Sequence, residues 1–148
     1  EISIVPSHLR FEHLQYVDMS DNKIAALPDT MDVTQVLELN LSNNRITVIP
    51  QGFKWFTRLT RLDLSDNRIS VVPPEVGQMV ALKYFDLSYN LISLLPVELM
   101  SMKFDYISVS SNYLCGNNIT SDVAQEAAFR VWLIEADLDW DKSQECTL

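Results

Sequence analysis

The residues of this chain that could carry chemistry are two histidines, two cysteines and a set of regularly spaced serines and aspartates. His8 and His13 sit near the start, and no serine or cysteine is spaced with a histidine and an acid as a nucleophile and its base would be. The sequence has no glycine-rich phosphate loop. Asp63, Asp66 and Asp86 fall near one another but lack the loop and the ligand count of a calcium site. Ser20, Ser42, Ser65, Ser88 and Ser110 recur at a fixed interval, which is the behaviour of turn residues rather than of a nucleophile. The expectation is a chain without catalysis, metal or cofactor. With 20 acidic and 11 basic residues it carries a net charge of −9, which argues against nucleic acid and anionic membrane as partners. No run approaches the roughly 20 apolar residues that span a bilayer, and no stretch reads as a signal peptide.

The regular serines belong to a longer pattern. Residues 59–73 read LTRLDLSDNRISVVP, with Leu59, Leu62, Leu64, Asn67, Ile69, Val72 and Pro73 at fixed offsets. The asparagine recurs as Asn22, Asn44, Asn67, Asn90 and Asn112, at intervals of 22, 23, 23 and 22 residues. Apolar residues stand at the same places before each asparagine, from Leu14, Val17 and Met19 to Phe104, Ile107 and Val109. In a short strand, residues two apart share a face, so Leu62 and Leu64 point inward while Arg61 and Asp63 point outward. One such strand cannot bury its apolar side alone, and stacked copies can.

A period of this length with this pattern is the signature of the leucine-rich repeat family, which the chain resembles from about Ile2 to Leu114 in the 22–23-residue class. The resemblance implies an α/β solenoid: a curved parallel β-sheet, an irregular convex side and a C-terminal helical cap. It divides the chain into repeats over 1–114 and a capping region over 115–148. The asparagines are read as a structural ladder whose amides satisfy backbone groups of the neighbouring turn. Ile2, Val5 and Pro6 match Ile24, Leu27 and Pro28, so the expectation is a chain that opens halfway through a repeat, with more repeats or a cap before it. Met31 and Val33, Phe53 and Phe56, Val76 and Met79, and Leu99 and Met102 should anchor the convex side in short turns or 3₁₀ pieces. Trp55 is expected to pack there.

The outward strand positions form columns. One is Tyr16, Glu38, Arg61, Tyr84 and Tyr106; the next is Asp18, Asn40, Asp63, Asp86 and Ser108; Asp21, Asn43, Asp66, Tyr89 and Ser111 flank them. Neighbours in a column lie one strand spacing apart. Glu38 is therefore expected to pair with Arg61, Arg61 to lie against Tyr84, and Tyr84, Tyr89 and Tyr106 to cluster. Tyrosine and arginine are enriched at binding hot spots. The candidate partner-binding residues are Tyr16, Glu38, Arg61, Asp63, Tyr84, Asp86, Tyr89 and Tyr106.

The chain changes character after Asn112. Residues 121–138 read as a helix, with Asp122 as N-cap, Gln125 three residues on, and an apolar stripe of Val123, Ala127, Val131 and Ile134 widened by Ala124 and Ala128. Cys115 and Cys146 bracket it. Their placement is similar to the disulfide-closed caps of extracellular leucine-rich repeat proteins, and Leu114-Cys115-Gly116 is similar to the cap entry of plant-type ectodomains. The repeats nevertheless lack the Leu-x-Gly-x-Ile-Pro run of the plant class. The resemblance implies a Cys115–Cys146 disulfide, which would contribute on the order of 3–4 kcal/mol in the chain-entropy model. Asn40 and Asn118 begin glycosylation sequons. The functional expectation is recognition of a protein or peptide by the C-terminal part of an extracellular receptor ectodomain or secreted binder. The alternatives are an intracellular signalling scaffold, with two unpaired thiols, and an architectural segment that spaces or dimerises a larger ectodomain.

Overall fold

The computed structural model describes residues 1–7, 9–11, 13–31, 34–115, 119, 120, 122, 124–137, 140 and 144. Five three-residue strands, β1 (Tyr16–Asp18), β2 (Glu38–Asn40), β3 (Arg61–Asp63), β4 (Tyr84–Asp86) and β5 (Tyr106–Ser108), form one parallel sheet in chain order. The register places Tyr16, Glu38, Arg61, Tyr84 and Tyr106 side by side, and Asp18, Asn40, Asp63, Asp86 and Ser108 beside them. The middle residue of each strand (Val17, Leu39, Leu62, Phe85, Ile107) is buried, as are Met19, Leu41, Leu64, Leu87 and Val109 two positions on. The repeat solenoid expected from the spacing is the observed fold. Leu14 departs from the pattern: it is half exposed, whereas Val36, Leu59 and Leu82 at the equivalent position are buried.

On the convex side the chain forms 3₁₀ turns at Gln51–Trp55, Pro74–Gln78 and Val97–Ser101. Phe53, Phe56, Val76, Met79 and Leu99 are buried there, and the Phe53 and Phe56 rings stack at 4.4 Å. These two phenylalanines fill the space behind the sheet. Trp55 between them is turned out and 68% exposed, with Lys54 Nζ 5.1 Å from its ring, so the expected packing role is overturned.

The ladder asparagines bridge adjacent rungs. Asn67 Nδ2 donates to Leu41 O of the preceding rung at 3.0 Å and to Leu64 O and Ser65 O of its own, while its Oδ1 accepts from Ile46 N at 2.9 Å. Asn44, Asn90 and Asn112 repeat this arrangement. Asn22 accepts from Ile2 N, so Ile2 holds the same place as Ile24. Each turn passes through one left-handed residue just before the asparagine: Asp21, Asn43, Asp66, Tyr89 and Ser111 have φ of 51–55°.

The cap extends this pattern with other side chains. Leu114 N donates to Gln144 Oε1 at 3.0 Å, and Gln144 Nε2 donates to Val109 O at 3.1 Å. These are the two bonds that a further ladder asparagine would make. Met19, Leu41, Leu64 and Leu87 each donate an N–H to a carbonyl of the next strand, and at the last rung Val109 N donates to Asp137 Oδ2 at 2.9 Å. Glutamine and aspartate thus satisfy the polar groups of an open solenoid end.

Helix α1 spans Glu126–Ala136, shorter than expected. Asp122 organises the turn ahead of it, accepting from Ala124 N and Gln125 Nε2, and Gln125 stands at the N-cap instead. Its buried residues are Phe129 and Leu133, with Trp132 and Ala136 partly buried against the core. The expected stripe is overturned: Val131 and Ile134 are 59% and 50% exposed, and Ala124, Ala127 and Ala128 are exposed. The larger aromatic face removes more apolar area from water and so turns the helix. Val33, Ser121, Val123 and Leu138 lie outside the described residues.

We predict that Asn67→Ala, which strands buried groups on two rungs, lowers stability by about 3 kcal/mol in urea denaturation. Asn22→Ala, on a more exposed rung, should cost clearly less, and equal losses would contradict the ladder account. Gln144→Ala should speed amide exchange at Leu114 while leaving Leu64 unchanged.

Candidate functional site

The site rises from the outward residues of β3, β4 and β5. Short parallel strands hold equivalent side chains one spacing apart, and three of these are flat groups that stack. The Arg61 guanidinium carbon lies 3.5 Å from the centre of the Tyr84 ring, and the Tyr84 and Tyr106 rings stack at 4.4 Å with 12° between their planes. Both tyrosine hydroxyls point to Asp86 Oδ2, each at 3.4 Å. Arg61 Nη2 is 4.0 Å from Asp63 Oδ2. The result is a cation–aromatic–aromatic row beside two carboxylates.

The second column is less free than its charge suggests. Asp63 Oδ1 accepts from both the N–H and the hydroxyl of Ser65, and Asp86 Oδ1 accepts likewise from Ser88. Asp18 holds Ser20 in the same way, and these hydrogen bonds keep its pKa below the ordinary carboxylate value. Asn40 Oδ1 accepts from Ser42 N. One oxygen of each aspartate is committed to its own turn; the other oxygen of Asp86 accepts from the two tyrosines, and that of Asp63 lies near Arg61. The recurring serines are therefore explained by these turns, a signal readable in the Asp-x-Ser spacing.

Burial, with the neighbouring Asp86 carboxylate second, pushes the Tyr84 hydroxyl up to about 12. Burial and then Asp86 raise Tyr106 as well. Both phenols are thereby held as neutral hydrogen-bond donors.

Other expected members of the site fall elsewhere. Glu38 makes no ion pair with Arg61; stacking on Tyr84 draws the guanidinium toward Asp63 and away from Glu38. Tyr16, also well exposed, stands with Asp18, Glu38, Asn40 and Arg61 around a shallow cleft of about 240 Å³. Tyr89 makes no ring contact with Tyr84 or Tyr106: its left-handed backbone carries it off the sheet face. Cys115 is not a free thiol. Cys146, Asn118 and His8 lie outside the described residues. A cleft of about 390 Å³ between the start of β5 and α1, lined by Met102, Phe104, Tyr106, Trp132 and Ala136, was not foreseen. It depends on how the helix is turned, and the sequence offered a competing apolar stripe.

The leucine rich repeat family model matches residues 12–69 and 57–114. A leucine-rich repeat protein of Leptospira interrogans is similar in structure, with a TM-score of 0.66 and 28% identity over 82% of this chain and 30% of that one. The plant peptide hormone receptor RGFR1, in complex with RGF2, is similar with a TM-score of 0.56 and 25% identity over 72% of this chain and 20% of that one. The chain thus spans less than a third of either structure. No curated protein matches in sequence.

The tyrosine environment predicts an alkaline response. A folded pKa raised above the unfolded value near 10 favours the neutral phenol, so its stabilisation is present below about pH 10 and is lost as pH rises toward 12. Absorbance at 295 nm should show one tyrosine ionising near pH 12, and Tyr84→Phe should remove that step. Complete ionisation of all tyrosines near pH 10 in the folded protein would contradict this environment.

Proposed function

Because this chain belongs to the leucine-rich repeat family, a fold used in general for protein binding rather than chemistry, we propose that its exposed sheet face recognises a protein or peptide ligand. The observation that carries this reading is the Arg61–Tyr84–Tyr106 row. Residues of these types, rigidly stacked and partly exposed, offer a large contact area at little cost in side-chain entropy. Asp63, the more accessible of the two carboxylates beside the row, favours a ligand that brings a positive charge. The adjoining cleft at Tyr106, walled by Phe104 and Trp132, suits an apolar side chain of the same ligand.

We place the chain at the C-terminal end of an extracellular receptor ectodomain or secreted binder, with 1–114 as the recognition arc and 115–148 as a disulfide-closed cap. The likeness to a plant peptide hormone receptor and the state of Cys115 support this placement. A Cys115–Cys146 bond and glycans on Asn40 or Asn118 belong to the same proposal. A glycan on Asn40 would cover the β2 part of the face and leave the tyrosine row open. The 22–23-residue period and Leu-Pro closures favour the rival reading, an intracellular scaffold.

Peptides selected from a displayed library against the intact chain test the face. Tyr84→Ala with Tyr106→Ala should weaken their binding at least about tenfold while the melting temperature shifts by no more than a few degrees. Undiminished binding would sink the proposal for this face. Intact mass after thiol alkylation tests the placement. Alkylation only after reduction, with added glycan mass, is the expected result; two thiols alkylated without reduction and no glycan would favour the scaffold.

A further inference from the structure

Between the asparagine ladder and the 3₁₀ side, each coil passes through a segment such as Ile69-Ser-Val-Val-Pro73, whose Ile69 and Val72 are buried. The two residues between them face outward. The first is Ser3, Ala25, Thr47, Ser70 or Ser93 along the solenoid, and the second is Ile4, Ala26, Val48, Val71 or Leu94. All of these are exposed, with Ile4 at 76%, Val48 at 63% and Val71 at 57%. None is charged, although charged residues make up 21% of the chain. Lack of charge around exposed apolar side chains marks the core of an interface. The strip is held in register by backbone bonds: Lys23, Arg45, Arg68 and Leu91 each donate an N–H to the isoleucine carbonyl of the preceding segment at 2.8–2.9 Å, and Val71 and Leu94 form a parallel β-bridge.

The two long edges of the strip differ in charge. On the ladder side the adjoining column is Glu1, Lys23, Arg45, Arg68 and Leu91, and Glu1 pairs with Lys23. Asp21 and Asp66 line the same groove but precede the asparagines, so the charges next to the strip are mainly basic. On the 3₁₀ side, just past the prolines, the charged residues are Asp29, Glu75 and Glu98, with no lysine or arginine at the equivalent places. An apolar strip with one basic and one acidic edge is complementary to itself. A two-fold axis parallel to the strip lays strip on strip and sets Lys23 opposite Asp29, and Arg68 opposite Glu75, of a second copy. An axis across the strip would oppose like charges.

We propose that this strip is a self-association surface on which two copies of the chain pack about a two-fold axis parallel to it. At about 4.8 Å between rungs and about 3.3 Å per extended residue, the strip with its edges measures roughly 20 by 20 Å. That is smaller than the roughly 800 Å² per partner of a standard interface, which fits a reversible dimer in the micromolar range. The sheet face stays open in such a dimer, and the proposal does not rest on what that face binds.

Sedimentation velocity of the full chain, from low micromolar to submillimolar concentration, should show a monomer–dimer equilibrium. Val48→Asp with Val71→Asp should weaken the dimer at least about tenfold, while the dilute double variant melts within a few degrees of the parent. Arg68→Glu should weaken it too, because a carboxylate then meets Glu75 of the second copy. Val48→Cys and Val71→Cys, made separately, should each give a disulfide-linked dimer on mild oxidation, since a parallel axis brings each strip residue onto its own copy. Tyr84→Ala should dimerise unchanged. A chain that stays monomeric, a dimer indifferent to the double variant, unchanged or tighter association of Arg68→Glu, cross-linking in fewer than both single variants, or equal loss in Tyr84→Ala would overturn the proposal.

Discussion

A primary amide shared between two rungs is the interaction on which this structure depends. Each coil turns sharply out of a three-residue strand, which leaves backbone carbonyls and an N–H facing the interior. Buried polar groups without partners cost about 1–3 kcal/mol each, and a short coil has few ways to satisfy them alone. Asparagine meets the need because its side chain carries both donor and acceptor on one short stem. The donor reaches back to one rung and the acceptor receives from the segment beyond it, so neighbouring coils are locked in register. At the rung of β5, Gln144 and Asp137 supply equivalent atoms.

That lock also makes the surfaces. Fixed register lets residues more than 20 positions apart in sequence become neighbours one spacing apart, so a column can carry one chemistry over several rungs. Arg61, Tyr84 and Tyr106 stack because their backbones are held at the stacking distance of flat groups. The same geometry sets Arg45 beside Arg68, and Leu91 beside Tyr113, on a different side of the coil. A single ladder thus presents two faces with distinct chemistry. One is aromatic and acidic, and the other carries acids, amides and bases together over its first three rungs.

The competition at α1 shows how burial decides between alternatives. Two stripes at helical spacing were available. One was made of alanine, valine and isoleucine; the other was Phe129, Trp132, Leu133 and Ala136. The second stripe closes the core because its side chains are larger and reach the last rung. A cleft beside Tyr106 results from that choice, and Val131 and Ile134 are left facing outward.

The sequence by itself determined the repeat, its period, the inward residues of every strand and the columns of the outward face. Each of these follows from spacing alone, because strand alternation and coil length are local geometry. It also pointed to the asparagines as structural residues. Only the tertiary structure decided which members of a column touch. Arg61 turns to Tyr84 and Asp63 rather than to Glu38, and that outcome depends on three-dimensional competition among stacking, charge and reach. Tertiary structure likewise carried Tyr89 away from Tyr84, through a left-handed backbone that the residue type does not announce. Long-range geometry alone placed Gln144 in the ladder, because no period in the sequence connects it to Asn112.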